Sequence, residues 1–325
     1  MTPTTRTVGE NERAETARGV HKVAALVVTY FPDAGCPRRL DKLLSQVDRL
    51  VIVDNGTDAA GISWIDAYSE RPRVTTIRND DNLGIAAALN QGMNVLADGA
   101  YDWVFTSDQD STVTDGCVAA LLAAVSGDPH PDNIALVGSN RQDTGANISA
   151  HRWLRPSRRY PFFERVTCDQ IERDGVTLVI TSGTLTSMTA YRQLGSFRED
   201  FFIDLVDTEY CLRARKAGYR ILVSCDAMIF HRIGSKRQRR LLGLTISPMH
   251  HGPLRKYYIF RNAVDVIRRY GRAFPHWLIY QVLGLAEVAA GILIFENQKS
   301  AKLRACMIGA WDGLLGRRGP ARREF

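Results

Sequence analysis

Tyr101-Asp-Trp-Val-Phe-Thr-Ser-Asp-Gln-Asp-Ser111 is an apolar run that ends in two aspartates spaced by one residue. It predicts a buried strand surfacing into a loop, with Asp108 and Asp110 at its carboxyl end. The same arrangement recurs on both sides. Val23–Val28, Leu50–Val53, Val74–Ile77, Asp102–Phe105 and Ile134–Val137 read as strands. Arg38–Val47, Ser63–Ser69, Ile85–Ala97 and Thr114–Val125 between them read as helices. This β-α-β-α order predicts an α/β domain with a mostly parallel central sheet and helices on both faces. Ligands of such sheets collect beyond the carboxyl ends of the strands. The polar residues fall there: Thr29 and Tyr30 after the first strand, Asp54 and Asn55 after the second, Asn79 after the third, Asp108 and Asp110 after the fourth. On one rim of one sheet they make a single crevice.

Carboxylate oxygens are hard ligands suited to Mg²⁺ or Mn²⁺, and Mg²⁺ takes only one or two protein carboxylates, leaving its other positions to water and phosphates. A lone pair of aspartates is weak evidence and more often a solvated strand end, so its company decides. No Gly-x-Gly-x-x-Gly follows the first strand, and no Gly-x-x-x-x-Gly-Lys-Ser/Thr occurs anywhere. The common dinucleotide and P-loop readings therefore lose their support. In their place stand Val53-Asp-Asn-Gly-Thr-Asp58 and Asn79-Asp-Asp-Asn-Leu-Gly-Ile-Ala-Ala-Ala-Leu-Asn-Gln-Gly92. Structurally, Asp-Asn-Gly predicts a turn and Asn82 a helix cap. Small Gly84, Ala86 and Ala87 let a ligand approach the helix start.

The ordered set Val-Val-Thr-Tyr, Val-Asp-Asn-Gly, Asn-Leu-Gly-Ile-Ala-x-Ala-x-Asn-x-Gly and Asp-x-Asp, over residues 23 to 111, closely resembles the family 2 nucleotide-sugar glycosyltransferases with the GT-A fold. The resemblance implies that Thr29, Tyr30, Asp54 and Asn82 line a nucleoside pocket together with Asn55, Asn79 and Gly84. Asp54 would accept from the pyrimidine ring nitrogen, Asp108 would face the ribose and Asp110 a metal.

Further along stand Ile180-Thr-Ser-Gly-Thr-Leu-Thr-Ser-Met188, Phe201-Phe-Ile-Asp-Leu-Val-Asp-Thr-Glu-Tyr-Cys-Leu-Arg213 and Phe230-His-Arg-Ile-Gly-Ser235. A helix from Val206 to Lys216 puts Asp207 and Glu209 in its first turn, where the helix dipole favours negative charge. Capping alone would account for Asp207. The family, however, places its catalytic base at the second position of a Glu-Asp pair opening this helix, and here Val206-Asp207 keeps the Asp and lacks the Glu. The Phe-Ile-Asp-x-Val-Asp-x-Glu pattern is similar to that of bacterial rhamnosyltransferases, which implies dTDP-L-rhamnose as donor. UDP-hexose and UDP-galactofuranose stay open. Ser182, Gly183, Asp204 and Glu209 are the expected sugar-facing region, and His231 the expected third metal ligand.

The 325 residues are 45% hydrophobic, enough for a substantial core. The expected organisation is a flexible tail (1–20), a catalytic domain (21–240, nucleotide half 21–140 and acceptor half 141–240) and a helical extension (241–325). The six cysteines are scattered without Cys-x-x-Cys, which indicates neither a zinc site nor a dense disulfide framework. A reducing cytoplasm is the default, and the polar N-terminus predicts no signal peptide.

The net charge of +7 is uneven: residues 232–325 carry 18 Lys/Arg against 5 Asp/Glu, leaving the rest of the chain acidic. A basic region can hold nucleic acid or an anionic membrane, or simply be solvated. No basic-aromatic motif of a nucleic-acid module is present, so nucleic acid is not expected. Trp277–Phe295 is 19 apolar residues interrupted by Gln281 and Glu287, near the length of a span. Glu287 would cost about 2.5–3.5 kcal/mol at the bilayer centre. With Arg268, Arg269 and Arg272 before it and Lys299, Lys302 and Arg304 after it, the stretch predicts a peripheral helix on the inner face of the plasma membrane. The alternative is a homodimer interface. A lipid-linked glycan acceptor fits the membrane reading. Of other classes, a nucleotidyltransferase lacks its glycine-rich, lysine-bearing signature, and a non-catalytic binding module would not need Asp108, Asp110 and Asp207 together.

Overall fold

The computed structural model describes residues 21–58, 63–143, 151–171, 175–231, 239–241, 244–246, 251–321 and 325. The expected tail, 1–20, and the Arg232–Ser235 part of the histidine motif lie outside them. An eight-stranded sheet forms the centre. Its strands are β1 (Val23–Thr29), β2 (Arg49–Asn55), β3 (Val74–Asn79), β4 (Trp103–Asp108), β5 (Ser111–Val113), β6 (Ile134–Asp143), β9 (Thr184–Ser187) and β10 (Arg220–His231), in the order β3-β2-β1-β4-β9-β6-β10-β5. β7 (Trp153–Pro156) with β8 (Phe163–Val166), and β11 (Arg239–Leu241) with β12 (Leu244–Ile246), form separate two-stranded sheets, the first packing its Trp153, Leu154 and Val166 into the core under β1.

The predicted parallel block is β3-β2-β1-β4, and β6 pairs parallel with β10. Strand β9 enters antiparallel between β4 and β6. Alternation along β1 explains the two faces. Ala24 and Leu26 point into one core with α3 (Ile85–Ala97) and α6 (Val206–Lys216); Val23, Ala25 and Val27 point into another with α1 (Cys36–Leu44) and α4 (Cys117–Ser126). These runs are buried on both faces, so they read as continuous apolar segments.

The path from β4 to β5 fixes the shape. Only Gln109 and Asp110 separate the two strands, yet β5 pairs with β10 at the sheet's far edge. Three Cα steps reach roughly 11 Å, whereas four flat strand spacings need about 19 Å. The sheet must curl, bringing β10 back to the end of β4. Short β5 and β9 were not legible in the sequence.

Helices α2 (Ser63–Ser69), α5 (Met188–Leu194), α7 (Pro253–Tyr270), α8 (Pro275–Phe295) and α9 (Lys299–Leu314) complete the described helices. The expected boundary at 240 does not separate two cores: Val266, Tyr270 and Trp277 pack in the same cluster as Leu26 and Val104. Helices α7 to α9 are tied together by a buried ion triad, in which Glu296 accepts from Lys256 (2.9 Å) and Lys302 (2.7 Å). Lys302, expected on a membrane-facing surface, is 5% exposed and belongs to this triad. Sequence cannot tell a solvated lysine from a paired one. One disulfide, Cys168–Cys225 with Cα atoms 5.7 Å apart, joins the segment after β8 to β10. Its 57-residue separation gave no local spacing signal.

Candidate active site

The carboxyl ends of β1, β2, β3 and β4 meet as predicted, and their polar residues form two hydrogen-bonded groups. The first surrounds Asp54, which is 1% exposed. Its carboxylate accepts from Thr29 Oγ1 (2.8 Å), Thr57 Oγ1 (2.7 Å) and the Thr57 amide (3.0 Å). A carboxylate offers about four acceptor positions, so three are occupied before any ligand arrives. Thr29 is fully buried, which makes the pair the floor of the crevice rather than its wall; Tyr30 is exposed at the rim.

The second group is an asparagine chain. Asn79 donates to Asn55 Oδ1 (3.1 Å) and Asn55 donates to Asn82 Oδ1 (3.0 Å). Asn82 is not the helix cap expected from its position. The cap of α3 is Gly84, at φ +88°, and Asn82 Oδ1 accepts from the Gly84 amide (2.9 Å). A left-handed backbone at 84 displaced the helix start by two residues. A Cβ on Gly84 would lie 2.6 Å from the Phe202 carbonyl oxygen, so its neighbour there is protein.

Asp108 and Asp110 flank Gln109, which sequence reasoning passed over. Its side chain accepts from the Tyr30 amide (2.7 Å) and donates to the Tyr30 carbonyl (3.0 Å), while Arg39 Nε donates to its backbone oxygen (2.7 Å). The turn carrying both carboxylates is thereby fixed to the end of β1. From below, Ser182 Oγ accepts from the Asp108 amide (3.0 Å) and bonds Ser111 Oγ (2.9 Å). Ser182 is 3% exposed, and Gly183 serves through its backbone, its amide donating to Thr106 and its carbonyl accepting from Ser139. Ser182 and Gly183, two of the four expected sugar-facing residues, thus support the strand.

His231 ends β10 with its backbone registered to Ser111 and Asp143. Its side chain is outside the description. Among the described residues no group of three His, Cys, Asp or Glu is gathered for a metal. Two half-buried carboxylates on a fixed turn still match what Mg²⁺ or Mn²⁺ needs when a diphosphate supplies the remaining oxygens.

Asp207 lies at the start of α6, half-buried, accepting from the Thr208 amide (2.7 Å). Apolar Leu136, Val179, Phe197 and Tyr210 surround the small cavity beside it. Burial pushes its carboxyl up to about 6; the Thr208 amide and the charge of Arg141 pull it back, and Asp204 and Asp108 push it further up. Arg141, near the end of β6, is the second residue missed. Burial lowers its guanidinium to about 10, against the charges of Asp207 and Asp108 that face it. It bonds His151 Nε2 at 2.9 Å. It lies beyond the strand end expected at Val137, because β6 runs on to Asp143.

Two expected sugar-facing acids have other partners. Glu209, 2% exposed, accepts from Tyr270 Oη (2.7 Å) and Arg213 (2.8 Å), which turns it into the core behind α6. Asp204 is held by the Arg255 guanidinium at 3.1 Å. Helical spacing put Glu209 and Asp207 in one turn; only packing showed that they serve opposite sides.

The chain is similar over nearly its whole length to the dTDP-rhamnosyl transferase RfbF of Shigella flexneri, with 26% identity over 319 residues covering 92% of this chain and 98% of that one. It is 25% identical over 231 residues to the N-acetylglucosaminyl-diphospho-decaprenol L-rhamnosyltransferase of Mycobacterium tuberculosis, covering 63% of this chain and 74% of that protein. Among solved structures, a mannosyltransferase from Pyrobaculum calidifontis in complex with GDP-Man and Mn²⁺ superposes with a TM-score of 0.55 at 14% identity, covering 95% of this chain and 98% of that one. GalNAc-T7 with UDP, GalNAc and Mn²⁺ gives 0.56 at 12% identity, covering 76% and 48%. These likenesses identify the GT-A fold. The model of glycosyl transferase family 2 matches residues 25–195, more than half of the sequence and the segment that carries Asp54, Asn82, Asp108 and Asp110. By that match the chain belongs to glycosyltransferase family 2 and is a glycosyltransferase.

Proposed function

We propose that this glycosyltransferase is inverting and metal-dependent, and that it moves L-rhamnose from dTDP-L-rhamnose to a hydroxyl of a lipid-linked glycan acceptor. The observation that carries the reading is one carboxylate, Asp207, raised to about 6 by burial and coupled by charge to Asp108 and Arg141. In an inverting transfer the acceptor hydroxyl attacks the anomeric carbon opposite the departing diphosphate, and one base suffices to take its proton. A base poised near the working pH is the efficient choice. Asp207 holds that proton at its carboxylate, and Arg141 keeps a positive charge beside it.

Asp108 and Asp110, with His231, would hold Mg²⁺ or Mn²⁺, which when bound neutralises charge on the diphosphate. Thr29, Tyr30, Asp54, Asn55, Asn79, Asn82 and Gly84 shape the nucleoside side of the crevice, with the fourth acceptor position of Asp54 left for a ring N–H. The donor rests on similarity to RfbF. Incubation with dTDP-rhamnose, UDP-galactofuranose and UDP-hexoses in Mn²⁺ tests it: dTDP release from the first is expected, and preferential UDP release overturns the rhamnosyl reading.

The base also predicts a pH profile. Asp207 must be ionised to act, so kcat should climb as pH rises through about 6 and level off above it. A flat kcat from pH 5 to 8 would exclude it as base.

The C-terminal helices support placement on the inner face of the plasma membrane. Val282, Leu283, Leu293 and Ile294 of α8, and Met307, Trp311 and Leu314 of α9, are all exposed. Exposed Arg272, Lys299, Arg304, Arg317 and Arg318 accompany them. A broad apolar surface with basic flanks suits an anionic interface. The Cys168–Cys225 bridge is unusual for a reducing compartment, so the placement rests on the helices and the acceptor. Binding to anionic liposomes should weaken between 0.1 M and 1 M salt, as the screening length falls from about 10 Å to about 3 Å. Pelleting that survives high salt and alkaline carbonate refutes peripheral attachment, and failure to pellet favours a homodimer interface.

A further inference from the structure

The segment that presents Asp207 has an unfavourable backbone. Phe202, Asp204 and Leu205 have φ of 64°, 64° and 59°, and none is glycine. Left-handed conformation in such residues is rare and costs about 1–2 kcal/mol each. Strain of this kind persists only where surroundings over-determine it.

Here the surroundings come from α7, beyond the 25–195 match that defines the family. Asn262, 1% exposed, donates its amide to three carbonyls of the segment: Phe201 (3.1 Å), Ile203 (2.8 Å) and Asp204 (3.1 Å). Its own oxygen accepts from Arg261 Nε (3.0 Å), which fixes the amide's orientation. Arg261 also donates to the carbonyls of Asp200 (2.9 Å) and Phe201 (3.1 Å). One turn earlier Tyr258 stacks on Phe202 with ring centres 5.2 Å apart, and two turns earlier Arg255 grips the Asp204 carboxylate. From the opposite side the Ile85 amide, at the start of α3, donates to the Phe202 carbonyl (2.8 Å).

We propose that Asn262, Arg261 and Arg255 are positioning residues: α7 clamps segment 202–205, with its three left-handed residues, so that Asp207 stands at the acceptor hydroxyl. The inference rests on Asp207 being the base. It assigns the C-terminal helices a part in turnover besides any attachment. Displacement of a reacting group by about 1 Å can cost 10²-fold in rate, and loosening the clamp should act on chemistry rather than on nucleotide binding.

The test compares Asn262→Ala, Arg255→Asp and the charge-swapped pair Asp204→Arg/Arg255→Asp with wild type. Expected for Asn262→Ala is a kcat lower by about 10–100-fold, with dTDP affinity in Mn²⁺ within about twofold and a retained cooperative thermal transition. Unchanged kcat, or kcat and dTDP affinity falling together, overturns the proposal. Should Asn262→Ala not fold, the other two variants decide. Loss of kcat in Arg255→Asp with recovery in the swapped pair supports the clamp, and no loss, or loss without recovery, overturns it. Wild-type activity in Asp207→Asn would remove the base instead, so the two failures are distinguishable.

Discussion

Asp207→Asn is expected to lower kcat by about 10²–10⁴-fold and to leave dTDP affinity close to wild type. The amide keeps the shape of the side chain and an oxygen for the Thr208 amide, but it cannot take a proton. A comparable loss of nucleotide affinity would make Asp207 a structural or metal residue. The same variant should gain stability in a pH-dependent way. A carboxyl with a folded pKa near 6, above its ordinary value of 3.8, binds a proton more tightly folded than unfolded. Its contribution to stability is therefore full below about 3.8 and is lost as pH rises through about 6. Two units correspond to about 3 kcal/mol, and partial exposure reduces this to about 1–2 kcal/mol. Asp207→Asn should thus melt higher than wild type at pH 7.5, with the advantage shrinking towards pH 4. Equal melting curves at both pH values would show that the carboxylate is not desolvated.

The second large effect is expected at Asp110. Asp110→Ala removes one of two carboxylates on a turn otherwise held by Gln109, Arg39 and Ser182, so the fold should survive while transfer falls to background. Nucleotide binding should lose its dependence on Mn²⁺. Full activity of this variant in EDTA would refute a metal role for the acidic turn. Gln109→Ala offers a milder comparison: it frees the turn from Tyr30 without removing a carboxylate, and should retain Mn²⁺-dependent binding at lower affinity.

Sequence alone determined the alternating core. The apolar runs at 23–28, 50–53, 74–77 and 103–105, alternating with helical stretches, suit a sheet with helices on both faces, and each strand's polar neighbour fell at the crevice because chain direction is shared. The alternating pattern likewise located α3, and a helix taken over Val206–Lys216 put Asp207 in its first turn, where α6 has it. What lay beyond was set by contacts between distant residues. Short β5 and β9 carry too few residues for a pattern, and their pairing required the curl of the sheet. Glu209 and Lys302 look like solvent-facing charges in a string of letters, yet Tyr270 and Glu296 bury them. Asn82 has a capping side chain, but the left-handed Gly84 moved the helix start away from it. The clamp of Asn262 on three carbonyls spans about sixty positions of chain. Local sequence encodes propensity and period, whereas the partner of a buried polar group is chosen by the fold that closes around it.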